Sequence, residues 1–108
     1  LLVAHWAKRS SLPVRAAFLV AVPDPAGPMF PPAAQGFQPV PSEKLRFPSL
    51  VVTSSNDPFG SVAYARGCAA DWGSDFVEVG AVGHINADSG LGDWPAGLAL
   101  FDGFLKSL

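Results

Sequence analysis

Residues 48–58 read Pro-Ser-Leu-Val-Val-Thr-Ser-Ser-Asn-Asp-Pro, an apolar run that ends abruptly in polar residues. Short runs of this kind, bounded by turn residues, are typical of strands that are buried on both faces of a sheet. A similar run, Val-Arg-Ala-Ala-Phe-Leu-Val-Ala-Val, covers residues 14–22, and a shorter one covers residues 76–79. The sequence therefore predicts two buried strands and a third, short strand of a parallel sheet.

Apolar residues at helical spacing surround these strands. Residues 1–9 are apolar until Lys8 and Arg9, which suit the last turn of a helix, and they predict a buried helix. A second helix should end at Gly73, with one apolar face formed by Val62, Ala65, Ala69 and Trp72. A third is predicted over residues 94–108, with a stripe formed by Trp94, Leu98, Phe101, Leu105 and Leu108.

The predicted fold class is α/β, in which a parallel sheet lies between helices as a three-layer α/β/α structure. Three strands make a thin sheet for so much apolar sequence. Because a parallel sheet buried on both faces usually has more strands, we expect at least one edge to have a missing neighbour.

Residues 22–48 hold 8 of the 11 prolines and are predicted to form a long loop. This loop also carries Met29, Phe30 and Phe37, which cost free energy when they are left in water. Two interpretations stay open. The segment is either a lid or binding wall, or a proline-stiffened connection whose aromatic side chains fill the core.

Length and composition exclude several classes of protein. A chain of 108 residues holds one small domain at most. Its 7 basic and 9 acidic residues give no electrostatic support for binding nucleic acid or an anionic membrane surface. An apolar share of 49% and a mean hydropathy of +0.29 argue against disorder. No apolar run reaches the roughly 18 residues of a membrane span.

The single cysteine, Cys68, excludes an internal disulfide framework. A free thiol favours a reducing compartment, and we therefore expect a cytoplasmic location. Cys68 falls within the second predicted helix, where a cysteine usually fills apolar space rather than acting as a reactive thiolate.

Two polar residues follow neighbouring predicted strands. Asp57 comes just after the strand at 48–55, and His84 follows the strand at 76–79. Because the carboxyl ends of parallel strands lie at one edge of a sheet, we expect these side chains to meet. A carboxylate that accepts the Nδ1 hydrogen of an imidazole fixes its tautomer for acyl transfer. Asp57 could instead cap a helix that begins at Pro58, and His84 could be an ordinary half-exposed histidine.

The segments Ser-Ser-Asn-Asp-Pro-Phe at 54–59 and Gly-His-Ile-Asn-Ala-Asp-Ser-Gly-Leu-Gly-Asp-Trp-Pro at 83–95 resemble the α/β-hydrolase fold. More narrowly, they resemble the small serine hydrolases related to retinoblastoma-binding protein 9 and to the bacterial YdeN-type proteins. The likeness extends over nearly the whole chain. It implies a triad in the order Ser, Asp, His, in which Asp57 is the acid and His84 the general base.

The resemblance implies a hydrolase that cleaves a small-molecule ester or related acyl bond. We expect an apolar pocket for the acyl group, lined by Phe59, Met29, Phe30 and Phe37. No nucleotide-binding glycine motif occurs, and two histidines with one cysteine offer no recognisable metal-ligand spacing, so no cofactor or metal is expected.

The nucleophile elbow Gly-x-Ser-x-Gly is absent from the sequence. By the resemblance, its serine should precede Leu1, and residues 1–108 should be the C-terminal portion of a single α/β-hydrolase domain. We expect this portion to be inactive without the N-terminal half. Two alternatives stay open: a non-catalytic, hydrolase-like module that binds proteins, and a complete flavodoxin-like domain.

Other residues compete weakly for the catalytic roles. None of the serines near Asp57 lies on a nucleophile-elbow turn, so none is expected to be the nucleophile: Ser54, Ser55 and Ser61. Asp88 is the second choice for the acid. Asp93 is expected to cap the last helix, and His5 is expected to be structural because no carboxylate lies near it in sequence.

Overall fold

The computed structural model describes all 108 residues. Its elements follow the predicted order of helix, strand, strand, helix, strand and helix: α1 (Leu2–Arg9), β1 (Ala17–Val20), β2 (Ser49–Thr53), α2 (Val62–Trp72), β3 (Asp75–Glu78) and α3 (Pro95–Lys106). A single 3₁₀ turn, Ala87–Ser89, precedes α3 and was not expected. The long segment between β1 and β2 contains neither helix nor strand.

The three strands form one parallel sheet in the order β1-β2-β3. Val51 in the centre of β2 lies opposite Leu19 on one side and Phe76 on the other. Thr53, the last residue of β2, lies opposite Glu78, the last residue of β3. The loops that leave these two strands therefore begin side by side at the same edge of the sheet.

Helices cover both faces of the sheet, so the three-layer α/β/α arrangement is confirmed. One face packs against α1 and α2, with buried side chains that include Ala4, Val51, Ala65, Ala69 and Trp72. The other face packs against α3 through Leu50, Val52 and Phe104. The indole Nε1 of Trp72 donates to the carbonyl of Pro41 at 2.7 Å, which ties the proline-rich segment to the core. None of the three α-helices has the length and hydropathy that a membrane span requires.

The strand β1 is less buried than its composition predicts. Every residue of β2 is buried, whereas every residue of β1 is only partly buried. The reason is position, because β1 has a strand on one side only. The helix α1 next to it was also predicted to be buried, but Leu2 is 71% exposed and only Ala4 is fully enclosed.

The face of α3 that meets the sheet differs from the predicted one. The buried residues are Gly97 and Phe104. Of the predicted stripe, Trp94 packs against the buried cluster and Phe101 packs edge to face on Phe18 of β1, whereas the leucines are exposed: Leu98, Leu105 and Leu108. Gly97 explains the difference, because a Cβ there would come within 2.0 Å of the Trp94 ring. The indole occupies the space that a side chain at position 97 would need, and this packing sets which face turns inward.

Candidate active site

The loop after β2 buries a single carboxylate. The side chain of Asp57 is 1% exposed, and its Oδ1 accepts a hydrogen bond from the backbone N–H of Phe59 at 2.8 Å. An aspartate that binds the backbone two residues further on is held in one orientation. The alternative that Asp57 caps α2 is wrong, because the N-cap is Ser61, whose hydroxyl accepts from the N–H of Tyr64 at 3.0 Å.

The loop after β3 carries the imidazole. His84 lies between Gly83, with φ of +69°, and Ile85, with φ of +53°. Glycine adopts this left-handed conformation freely, whereas a β-branched residue does so only at a cost in free energy. The Nδ1 of His84 donates to Oδ2 of Asp57 at 2.8 Å. The contact that the strand order predicts is therefore present.

The pair has the geometry of an oriented general base. Both oxygens of the Asp57 carboxylate are occupied, one by the Phe59 N–H and the other by the imidazole. With its hydrogen held on Nδ1, the neutral ring presents a lone pair on Nε2, which makes no hydrogen bond to the protein. A buried carboxylate at this distance also stabilises the imidazolium that forms when Nε2 takes a proton.

Phe59 packs directly on the imidazole. The two ring centroids are 4.4 Å apart and the ring planes are inclined by 38°. Phe59 and His84 both line a cavity of about 400 Å³ that lies between the two loops. The contact of Phe59 with a substrate stays a prediction. The phenyl ring also restricts rotation of the His84 imidazole, because the two rings are in contact.

The structure does not bring the other three predicted pocket residues to this cavity. Phe30 and Phe37 pack edge to face on each other, with centroids 6.0 Å apart, and line a separate cavity of about 310 Å³ within the proline-rich segment. Met29 is 52% exposed and lines neither cavity. The hydrogen bond from the Nε2 of His5 to the carbonyl of Phe37, 2.9 Å long, anchors this segment to α1 instead.

The competing candidates occupy other positions. The Ser54 hydroxyl is buried and hydrogen-bonded within the protein, and Ser61 caps α2. Asp88 lines the cavity beside His84 but makes no hydrogen bond to it. Asp93 does not cap α3, because the N-cap is Trp94, whose side chain makes no capping hydrogen bond.

The buried thiol and the remaining titratable groups show no second reactive cluster. Burial raises the pKa of Cys68, so its thiolate is disfavoured, as expected for a cysteine that fills apolar space. No group of three or more His, Cys, Asp or Glu side chains lies close enough together to hold a metal ion.

Sequence reasoning missed the contribution of Ser54 and Asn56. The Ser54 hydroxyl accepts from the N–H of Val82 at 3.0 Å and donates to Oδ1 of Asn56 at 3.0 Å. The same Oδ1 accepts from the N–H of Gly83 at 2.8 Å. The only signal in the sequence is a run of small polar residues before Asp57, which on its own predicts a turn and no partner.

Comparisons with known proteins agree with this geometry. The family model described as serine hydrolase matches residues 1–103. A crystal structure of a YdeN-like hydrolase from Pectobacterium atrosepticum superimposes with a TM-score of 0.79 at 30% sequence identity, over 94% of this chain and 52% of that one. This chain thus spans about half the length of that hydrolase. No curated protein matches it in sequence.

The family match covers far more than half of the chain, and the similar crystal structure shares its fold. The expected resemblance to the YdeN-type hydrolases is confirmed. The chain belongs to the serine hydrolase family and has an α/β-hydrolase-like fold.

Proposed function

We propose that this chain supplies the acid and the base of a Ser-Asp-His triad that hydrolyses a carboxyl ester or a related acyl bond. The observation that carries the proposal is the 2.8 Å hydrogen bond between Asp57 and His84 at the carboxyl edge of the sheet. Family membership supports hydrolysis as the reaction class. The Nε2 of His84 makes no hydrogen bond to the protein and lies beside a cavity of about 400 Å³. Both observations support the role of general base.

In the proposed mechanism, Nε2 of His84 takes the proton of a serine hydroxyl while the serine oxygen attacks the acyl carbon. The imidazolium then gives this proton to the leaving alkoxide, and water repeats the sequence on the acyl-enzyme. Asp57 keeps the hydrogen on Nδ1 and stabilises the imidazolium. Phe59 limits rotation of the ring and forms part of the wall that the acyl group meets.

The nucleophile belongs to a segment that precedes Leu1 in this proposal, and residues 1–108 are the C-terminal portion of one domain. Three observations support it. The sequence has no Gly-x-Ser-x-Gly, the chain spans 52% of the YdeN-like hydrolase, and α3 exposes an apolar stripe beside the half-exposed edge strand β1. Strands of the N-terminal half would continue the sheet at β1, and other parts of that half would cover the stripe.

The free thiol of Cys68 supports a cytoplasmic location for the protein. Without its nucleophile, the 108-residue chain by itself should not turn over an ester.

Labelling with a fluorophosphonate probe tests the proposal, because such probes react covalently with serines that a triad activates. We expect the full-length protein to be labelled and His84→Ala to lose the label. The matched control is His5→Ala, which removes the other histidine and should keep the label, because His5 contacts Phe37 rather than Asp57. Labelling that is absent, or equal in His84→Ala, would contradict the proposal and favour a hydrolase-like binding module.

A further inference from the structure

The loop that carries His84 has a strained backbone. Gly80, Gly83 and Ile85 all have positive φ, of +85°, +69° and +53°. The first two are glycines and tolerate this conformation, but Ile85 is β-branched and lies next to the imidazole. A conformation of this kind persists only where the surrounding structure holds it in place.

Ile85 itself packs against the cluster of Leu50, Val52 and Phe104. The first half of the segment, up to Gly83, is held by hydrogen bonds from the loop that follows β2. The backbone N–H groups of Val82 and Gly83 both point at side chains that follow β2: Val82 donates to the Ser54 hydroxyl at 3.0 Å and Gly83 to Oδ1 of Asn56 at 2.8 Å. The hydroxyl of Ser54 closes the set by donating to the same Oδ1 at 3.0 Å. We call this set of hydrogen bonds the Ser54–Asn56 clasp.

The clasp fixes the base through its neighbours and does not touch the base itself. Ser54 is fully buried, so water cannot replace the hydrogen-bond partners of its hydroxyl. Gly83 is the residue directly before His84, so the peptide N–H that the clasp holds lies one residue from the imidazole. Neither Ser54 nor Asn56 makes a hydrogen bond to the ring or to the Asp57 carboxylate.

We propose that Ser54 and Asn56 are positioning residues for the general base: their clasp holds the strained loop at residues 80–85 so that Nδ1 of His84 stays on Asp57. Without the clasp, the N–H groups of Val82 and Gly83 have no partner within the protein, and the loop is free to move at Gly83, directly before the imidazole. The imidazole then leaves Asp57 for part of the time. The effect on turnover rests on the proposed function, whereas the effect on the hydrogen bond does not.

The test compares Asn56→Ala with Asn56→Asp in the full-length protein. Asn56 is exposed, so both variants should fold. Aspartate keeps an oxygen where Oδ1 stands and alanine does not. Ser55→Ala is the matched control from the same loop, because its side chain is exposed and makes no hydrogen bond. Ser54→Ala is the second variant, which removes the buried hydroxyl and leaves a small side chain in its place.

The first readout is the proton on Nδ1 of His84, observed by NMR as a downfield resonance that exchanges slowly while the hydrogen bond persists. We expect it to be lost or to exchange rapidly in Asn56→Ala and Ser54→Ala, and to be kept in Asn56→Asp and Ser55→Ala. The second readout is ester hydrolysis. A base displaced by about 1 Å should lower kcat by about 10²-fold in Asn56→Ala, with KM unchanged, and Asn56→Asp should recover most of it.

An unchanged resonance in both Asn56→Ala and Ser54→Ala would overturn the proposal, as would an effect on KM with kcat unaltered. If the resonance responds as expected but the parent protein neither hydrolyses esters nor reacts with the fluorophosphonate, the clasp stands and the proposed function fails. The two proposals are therefore tested separately.

Discussion

Two sides of the molecule differ in how completely they are packed. The well-packed side is the central strand β2 with the loop that follows it: Val51 and Val52 are fully buried, and hydrogen bonds join this loop to the one after β3. The open side is formed by β1 and α3, where the strand is only partly buried and α3 exposes Leu98 to 58% and Leu105 to 40%. The other edge strand, β3, is also only partly buried. Apolar surface such as that of α3, arranged as a continuous stripe, is typical of a face that meets other protein. The contrast supports the proposal that the N-terminal half of the domain packs at β1.

The largest expected effect comes from Asp57→Asn, on the well-packed side. The N–H of Phe59 holds the side-chain oxygen, so the amide group would face Nδ1 of His84 and favour the tautomer with its hydrogen on Nε2. That tautomer cannot accept the serine proton, and kcat of the full-length protein should fall by about 10⁴-fold. Steady-state kinetics of ester hydrolysis measure this fall in kcat.

Asp75→Asn is the control for this substitution, because Asp75 is an exposed carboxylate at the start of β3. It should leave kcat unchanged. If Asp57→Asn kept more than about a tenth of the parent kcat, the assignment of Asp57 as the acid would be wrong.

The second largest effect is on stability and compares a buried side chain over β2 with an exposed one on α1. Trp72 is 2% exposed and Leu2 is 71% exposed. Trp72→Ala should lower the free energy of unfolding by about 3–5 kcal/mol through lost packing and the lost hydrogen bond to Pro41. Leu2→Ala should change it by less than about 0.5 kcal/mol. Urea denaturation measures both, and equal losses would mean that the two sides are packed alike.

The same contrast explains how far the sequence alone could predict the fold and the site. The order of elements and the meeting of Asp57 with His84 follow from strand patterning, because parallel neighbours bring their carboxyl ends to one edge. The buried face of α3 could not be predicted from spacing, because it depends on how the Trp94 ring fills the space over Gly97. Similarly, Ser54 accepts from Val82, which is 28 residues away in the chain, and Asn56 accepts from Gly83, which is 27 residues away, and no local pattern reveals these partners.

A smaller effect is the pH dependence of the free energy of unfolding that the buried thiol of Cys68 contributes. Burial raises the pKa of Cys68 above its unfolded value, so the folded protein binds this proton more tightly than the unfolded chain does. The resulting contribution to stability is fully present below the unfolded pKa of about 8.5 and is lost as the pH rises through the folded pKa. Urea denaturation between pH 7 and pH 10 should therefore show stability falling at the alkaline end.

Cys68→Ala and Cys68→Ser both remove the titrating group and should flatten this dependence. Burial also raises the pKa of the Tyr64 hydroxyl, which adds a slope of the same sign in every variant. A slope that is identical with and without the thiol would show that Cys68 ionises equally well in both states, which contradicts its burial.

The smallest expected effect on stability lies on the open side. The double substitution Leu98→Gln and Leu105→Gln changes two exposed residues of the α3 stripe and should alter the free energy of unfolding of the 108-residue chain by less than about 0.5 kcal/mol. Phe104→Ala, on the buried face of the same helix, should cost about 3–5 kcal/mol. Sedimentation should also show that the double variant self-associates less, because less apolar surface is exposed. If the double variant lost as much stability as Phe104→Ala, the stripe would have to be packed in the chain by itself, and the β1 side would need no further protein to cover it.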